Sequence, residues 1–179
     1  MQTASPTQDD FQHIKEKIVD YLSRQGFSEA KLIQKITNLK RYYPHTRRYQ
    51  FYTPENIQIV IEELKTLGLI DDEKYCREVL RHLQDRKDGL YRIKDKMRRR
   101  LIPPAIIDKV LNEWKQTGVA QDYTAIIRET KRKYGRLKEK FLLPKEQYAV
   151  KSKMYTFLAQ KGYGSEEIKE ILRQAMADE

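Results

Sequence analysis

The segment PENIQIVIEELKTLG, residues 54–68, decides the fold of this chain. Thr53, directly before the segment, is followed by Pro54, and this pair is typical of a helix N-terminus. Gly68 is typical of a helix end. The apolar residues between them recur at spacings of three and four, and they are Ile57, Val60, Ile61 and Leu64. The segment therefore predicts an amphipathic helix with one buried face.

The same apolar pattern returns twice further along the chain. It occurs as Ile107-Val110-Leu111-Trp114 and as Ile168-Ile171-Leu172-Ala175, at offsets of 50 and then 61 residues. The helices that precede these two also match at an offset of 61, where Ile93 pairs with Met154 and Met97 with Leu158. Self-similarity at a period of this length is the signature of a repeat fold. We therefore expect an all-α protein of three tandem three-helix repeats that form an elongated, curved molecule.

Capping residues, prolines and glycines divide the remaining sequence into further helices, nine in total, with no sheet. Ser28 is expected to cap the second helix, and Asp71 or Asp72 the fourth. The seventh helix is expected to end at Gly135. The eighth is expected to follow a linker at 141–144 and to bury Tyr148, Met154, Tyr155 and Leu158. The repeats are assigned to residues 10–70, 71–118 and 119–179.

The first repeat carries an additional segment, YYPHTRRYQFYTP, residues 42–54, which we call the insertion segment. The connection that contains it is eleven residues longer than its counterpart in the second repeat. Alternation over residues 48–53 predicts a short hairpin strand that turns near residues 44–46. Five aromatic residues with Arg47 and Arg48 suit stacking on unpaired bases or a protein interface. Alternatively, the aromatic rings fold back onto the repeat. As an addition to the repeat, the segment is expected to contribute little to stability.

Composition restricts the function. The net charge is +10, the isoelectric point is near 9.5 and 35% of residues are charged, which favours a polyanionic or acidic partner. The single cysteine, Cys76, excludes an intrachain disulfide and is expected in the core. The sequence has no secretion signal and no apolar run of bilayer length, so we expect a cytoplasmic protein without a membrane partner.

Candidate catalytic and metal-binding residues are lacking in the sequence. The three histidines lie on different elements, and the acids at residues 71–73 suit helix capping better than metal binding. There is no glycine-rich phosphate loop and no nucleophile elbow. We expect no enzymatic activity, no cofactor and no metal.

Two clusters of basic residues are candidate contacts to a partner. Residues 81–100 hold nine basic and three acidic residues, and residues 128–140 hold seven and two. Contact with phosphates or with acidic protein loops is one interpretation, and a solvated helix face is the other. Together with the insertion segment, the clusters supply these candidate residues: Arg47, Arg48, Arg92, Lys96, Arg98, Arg99, Arg100, Lys131, Arg132, Lys133 and Arg136. Arg92, Lys96 and Arg99 are expected on one outward helix face, and Tyr134 in the core.

The passage GLIDDEKYCREVLRHLQDRKDGLYRIKDKMRRRLIPPAIIDKVL, residues 68–111, resembles the RecX family, regulators of the bacterial recombinase RecA. The matching positions are Ile70-Asp71-Asp72, Tyr75, Leu80-Arg81, Gly89, Arg92-Ile93 and Ile107 to Leu111. RKYG at 132–135 and FLAQKGYGSEEIKEIL at 157–172 resemble the third repeat of the family, and YLSRQGFSEAKLIQKI at 21–36 resembles the first. Two features depart from the family pattern: Leu101 stands where glycine is usual, and the insertion segment is extra.

The resemblance implies three-helix repeats and a function. It implies binding, as a monomer, along the groove of the RecA–single-stranded-DNA filament, with modulation of its growth, ATP hydrolysis, strand exchange and coprotease activity. Inhibition is the expected direction, and DNA repair, recombination and the SOS response are the expected context. The alternative is a helical nucleic-acid-binding module that acts on DNA or RNA without RecA.

Overall fold

The structure of the protein is a computed structural model. It describes residues 6–117, 123–140 and 144–177, and for residues 144–147 it describes the backbone only. These residues form α1 Gln8–Arg24, α2 Glu29–Tyr42, α3 Pro54–Thr66, α4 Asp72–Asp85, α5 Leu90–Arg99, α6 Pro104–Gln116, α7 Thr124–Lys140, α8 Pro144–Gln160 and α9 Ser165–Ala175. Across the described ranges there are nine α-helices and no strand, so the predicted all-α class is confirmed.

The insertion segment does not form the predicted hairpin strand. Arg47–Phe51 is instead a 3-10 helix between α2 and α3. Residues three apart in such a helix project in the same direction, so Tyr49 and Tyr52 both turn toward the core of the first repeat. Packing against the repeat therefore replaces strand pairing in this segment.

Two further predictions are wrong. α7 continues through Gly135 to Lys140. This glycine does not adopt the positive φ with which a glycine ends a helix. In α8, Met154 and Leu158 are buried as predicted, but Tyr148 and Tyr155 are 81% and 42% exposed. These tyrosines lie seven residues apart, on a side of the helix that flanks its buried face. Of the predicted linker at 141–144, residues 141–143 lie outside the described residues and Pro144 is the first residue of α8.

The described residues pack as two compact units. Unit 1 contains those of Met1–Arg77 and Met97–Asp108, and unit 2 contains those of Glu78–Lys96 and Lys109–Glu179. The boundaries cross α4, α5 and α6, so each unit combines one terminal repeat with part of the middle one. The division into repeats at 10–70, 71–118 and 119–179 stays a prediction.

The core of unit 1 confirms the predicted helical stripes. Thr53 accepts a hydrogen bond from the N–H of Asn56 over 3.3 Å, which caps α3 as the sequence indicates. The buried members of the core are Ile14, Ile18, Leu32, Ile36, Leu39, Tyr52, Ile57, Val60, Ile61, Leu64 and Ile70. Cys76 is also fully buried, which confirms its interpretation as a core residue.

Tyr52 overturns the prediction that the insertion segment lies outside the core. Its side chain is 1% exposed, and its hydroxyl oxygen lies 2.8 Å from Nδ1 of His13. The repeat offsets pair Tyr52 with Ile102 and Tyr163, which are both buried. Tyr52, near the end of the segment, therefore occupies the buried position that lies two residues before the third helix of each predicted repeat.

In unit 1 the C-terminal turn of α5 packs on the start of α2. The N–H of Ile102 donates to the carbonyl of Met97 over 3.3 Å, and Leu101 takes a left-handed conformation with φ of 57°, as in a Schellman motif. Ser28, which is fully buried, donates from Oγ to the carbonyl of Arg100 over 2.6 Å. This bond satisfies a carbonyl that the helix end leaves without an intrahelical partner.

Two adjacent aspartates cap two different helices of unit 1. Asp71 Oδ1 accepts from the N–H groups of Glu73 and Lys74, each over 2.9 Å, and so caps α4. Asp72 Oδ1 accepts over 2.7 Å from the N–H of Glu29, in the first turn of α2. Burial raises the pKa of Asp72, although the bond from Glu29 opposes the shift. The pair thus fixes the start of α2 against the start of α4.

Leu101→Gly is expected to raise the free energy of unfolding by about 0.5–1 kcal/mol. A left-handed conformation costs an L-residue about 1–2 kcal/mol, and the extra freedom of glycine in the unfolded chain offsets part of that gain. The Leu101 side chain is 37% exposed, so only part of it is in packing contact. Urea unfolding measures the change, and a lower midpoint would show that the side-chain contacts outweigh the backbone strain.

The contact between the end of α5 and the start of α2, which we call the joint of unit 1, has an equivalent in unit 2 between the end of α8 and the start of α5. In unit 2 the joint is made by backbone groups alone. An offset of 61 pairs Ser28 with Gly89 and Arg100 with Lys161. The N–H of Gly89 donates to the carbonyl of Lys161 over 2.9 Å, and the N–H of Tyr91 donates to that of Gly162 over 3.1 Å. Unpaired N–H groups at the start of α5 therefore meet carbonyls that follow the end of α8.

The core of unit 2 lies beside this joint. Its buried residues are Ile126, Leu158, Tyr163, Ile168 and Ile171. The hydroxyl of Tyr163 donates to the carbonyl of Lys87 over 3.1 Å. Like Tyr52 in unit 1, this tyrosine combines a buried ring with hydrogen bonding of its hydroxyl to an earlier part of the chain.

Candidate partner-binding surfaces

The arginines at the end of α5 belong to unit 1. Arg98 and Arg99 are exposed and Arg100 is partly buried. The carbonyl of Arg100 accepts the bond from Ser28, and Leu101 sets the following turn. The backbone that carries this cluster is therefore held by the core, so its charges are presented from a defined position.

Arg92 and Lys96, in unit 2, surround a buried carboxylate. Asp88 is 4% exposed; Arg92 Nε lies 3.3 Å from its Oδ1, and Lys96 Nζ pairs with its Oδ2. Arg92 also donates from Nη1 to the carbonyl of Gln160 over 3.0 Å. The expected outward row of Arg92, Lys96 and Arg99 is thus partly used to neutralise Asp88 and to hold the start of α5.

The basic residues of α7, also in unit 2, lie on more than one face. Lys131, Arg132 and Arg136 are exposed. Lys133 is exposed as well, but its Nζ lies 3.7 Å from the ring centroid of Phe157, a cation–π contact with a residue that packs against the core of the unit. Tyr134, which was expected in the core, is half-buried.

The two arginines of the insertion segment are exposed, and both lie near acids at the start of α1. Arg48 lines a surface cleft of about 230 Å³ with Asp9, Asp10, Gln12, His13 and Glu16. The pKa of Asp10 is lowered mainly by hydrogen bonds to Thr7, with a smaller contribution from the charge of Arg47. Part of the positive charge of this segment is therefore balanced by the start of α1.

The exposed aromatic residues of the insertion segment adjoin its buried ones. Tyr42 and Tyr43 are 68% and 55% exposed. The Tyr43 ring lies 5.7 Å from that of Tyr49, which in turn meets Tyr52 edge-on at 5.0 Å. The rings of Tyr49 and Tyr52 fold back onto the repeat, as one interpretation of the segment expects. Contact with a partner through the exposed Tyr42 and Tyr43 stays a prediction.

The candidate residues thus fall into separate groups. Unit 1 carries Arg47, Arg48 and Arg98 to Arg100, and unit 2 carries Arg92, Lys96 and the α7 residues. The sequence analysis missed the buried Asp88 and the shared role of Glu129, which lies 3.7 Å from Lys87 and 3.5 Å from Lys161. The pair of Asp88 with Arg92 has a local signal, since the two residues lie four apart. The contacts of Glu129 join residues that are distant in sequence, and no local signal marks them.

The described residues show no arrangement for metal or nucleophilic chemistry. Within 6–117, 123–140 and 144–177, no three His, Cys, Asp or Glu side chains are grouped so that they could hold a metal ion. Burial raises the pKa of Cys76 to about 11, so its thiol stays protonated at neutral pH. No helix in the same ranges is both long and apolar enough to span a bilayer.

Comparison with known proteins relates the chain to one family. Residues 120–172 match the model described as RecX, third three-helix domain. The Regulatory protein RecX of Prosthecochloris aestuarii is 27% identical over 128 residues, which cover 71% of this chain and 77% of that protein. That of Chlorobium phaeobacteroides is 24% identical over 164 residues, covering 91% and 84%.

The predicted resemblance to the RecX family is confirmed. The fold agrees with solved RecX structures. The crystal structure of RecX from Lactobacillus salivarius superposes with a TM-score of 0.66 at 18% identity, over 94% of this chain and 98% of that one. A second RecX crystal structure gives a TM-score of 0.64 and covers all of this chain. At this identity the RecX structures establish the shared helical fold.

Proposed function

We propose that the protein is a non-catalytic regulator that binds the RecA–single-stranded-DNA filament and inhibits its growth, ATP hydrolysis and recombination activity. The relationship to proteins named Regulatory protein RecX, over as much as 91% of the chain, carries this proposal. DNA repair, recombination and the SOS response are the corresponding context, and we propose that the protein acts as a cytoplasmic monomer.

The charge distribution supports a polyanionic partner. The net charge of +10 is concentrated in two helical stretches and the insertion segment. In unit 1, Arg98 and Arg99 are exposed at the end of α5 on a backbone that Ser28 fixes. A rigid display of arginines suits contact with phosphate or carboxylate groups, since the guanidinium fork binds both in bidentate fashion.

A helical module that binds DNA or RNA without RecA is the second candidate. The exposed basic face of α7 favours it, because phosphate contacts alone give sequence-independent affinity. The two candidates differ in stoichiometry. A regulator of a growing filament acts below one copy per RecA subunit, whereas a competitor for bare DNA must be present in an amount that covers the DNA.

We expect the protein to suppress the DNA-dependent ATPase of RecA at substoichiometric ratios, and the double variant Arg98→Glu, Arg99→Glu to need about a tenfold higher concentration. Tenfold corresponds to about 1.4 kcal/mol of binding free energy, a modest loss for two reversed charges at a contact. The steady-state ATPase rate of RecA on single-stranded DNA is the measurement.

The double variant Lys169→Glu, Arg173→Glu on α9 is the matched control. Both side chains are highly exposed, at 68% and 70%, and the change in net charge is the same. The control should inhibit like the unaltered protein. Unchanged RecA ATPase at equimolar protein, with tight binding to bare single-stranded DNA, would instead favour the second candidate.

A further inference from the structure

Gly135 has no structural reason to be glycine. It lies inside α7, where glycine destabilises a helix relative to alanine. Its φ is not positive, and a Cβ built on it would meet no atom within 4 Å. By contrast, a Cβ at Gly89 or Gly162 would collide with backbone. Neither the turn geometry nor the packing of unit 2 therefore explains this residue.

A row of arginines follows the same side of α7. Arg128, Arg132 and Arg136 are spaced by four residues, so they line one face at intervals of about 6 Å along the axis. All three are exposed. The helical period places Gly135 beside this row and places the buried Ile126 and Thr130 on the opposite face. We call the exposed side with these three arginines and Gly135 the α7 face.

One of the two acidic residues of this helix is directed elsewhere. Glu129 engages Lys87 and Lys161, at 3.7 Å and 3.5 Å. Glu139 lies near the end of the α7 face, and Lys131 borders it, so the face keeps a strong positive balance. In the part of the chain that the structure describes, none of the large exposed hydrophobic side chains lies on α7. The centre of a protein–protein interface would need such side chains.

We propose that the α7 face binds the sugar–phosphate backbone of a nucleic-acid strand, with Gly135 as the point of closest approach. Phosphates recur along a strand at an interval comparable to that of the arginines, and each guanidinium can hold one in bidentate fashion. The missing side chain at Gly135 lets the strand reach the helix surface between its cationic neighbours. This contact rests on the second candidate function, which needs no RecA, and deepens it by naming the residues that hold the strand.

Gly135→Ala separates this proposal from a structural role. The substitution should move the urea unfolding midpoint upward, because alanine favours the helix and meets no neighbour. At the same time it should weaken binding of a fluorescein-labelled oligothymidylate, measured by anisotropy. A residue that serves only the fold would change stability and binding in the same direction.

Arg132→Gln tests the row itself. It should lower the affinity for the oligothymidylate and reduce the slope of log affinity against log salt by about 0.7, the value for one phosphate contact to a single strand. Arg173→Gln on α9 removes one exposed cation from the same unit and should leave the affinity near that of the unaltered protein.

Three results would overturn the proposal. They are no binding of the oligothymidylate by the unaltered protein, unaltered affinity in both Gly135→Ala and Arg132→Gln, and capture of a polyglutamate peptide in preference to the oligothymidylate. The last would assign the α7 face to an acidic protein. Because RecA is absent from the assay, these outcomes leave the regulator proposal to its own ATPase test.

Discussion

Tyr52→Ala is expected to lower the free energy of unfolding by about 3–5 kcal/mol, the range for truncation of a large buried aromatic side chain. The Tyr52 ring is 1% exposed within the core of unit 1. Its removal leaves a cavity beside Tyr49 and deletes the hydrogen bond to His13. Urea unfolding followed by circular dichroism measures the loss.

Two substitutions separate the parts of this effect. Tyr52→Phe keeps the ring and removes the hydroxyl, so it should cost about 1 kcal/mol. Tyr42→Ala removes a ring that is 68% exposed and should change stability by no more than about 0.5 kcal/mol. If Tyr42→Ala and Tyr52→Ala proved equally mild, the insertion segment would be dispensable to the core, as its sequence first indicates.

The insertion segment shows where reasoning from spacing fails. The offsets correctly locate eleven additional residues in the first repeat, but they do not say which residues of the segment are the additional ones. The structure shows that α2 extends to Tyr42 and that Tyr52 takes the anchor position of Ile102 and Tyr163. Aligning the position two residues before each third helix would have revealed this, since Tyr52, Ile102 and Tyr163 are all apolar or aromatic.

Helices were predictable because their signals are local. The spacing of apolar residues and the caps at Ser28, Thr53 and Asp71 are sufficient for α2, α3 and α4. Surface charge was less predictable, because whether a cation is available depends on residues distant in sequence. Arg92 and Arg98 belong to the same basic cluster, residues 81–100, yet Arg92 also donates to the carbonyl of the distant Gln160.

Gly89→Ala is expected to cost unit 2 about 3–5 kcal/mol. A Cβ at this position would lie 2.3 Å from the carbonyl oxygen of Gly162 and 2.5 Å from the backbone nitrogen of Tyr163. Backbone cannot give way as a flexible side chain can, so the two segments must separate. Overpacking costs about 1–3 kcal/mol, and the bonds from Gly89 and Tyr91 add about 1 kcal/mol each when they are lost.

Gly135→Ala is the matched control, since it makes the same chemical change in the same unit where a Cβ meets nothing. The two variants should therefore shift the urea midpoint in opposite directions.

Gly89→Ser should be no milder than Gly89→Ala, although serine stands at the equivalent position of unit 1. Ser28 reaches the carbonyl of Arg100 through its Oγ, whereas Gly89 uses its own N–H at a distance that leaves no space for a side chain. Wild-type stability in Gly89→Ser would show that the joint of unit 2 can open to the spacing of unit 1.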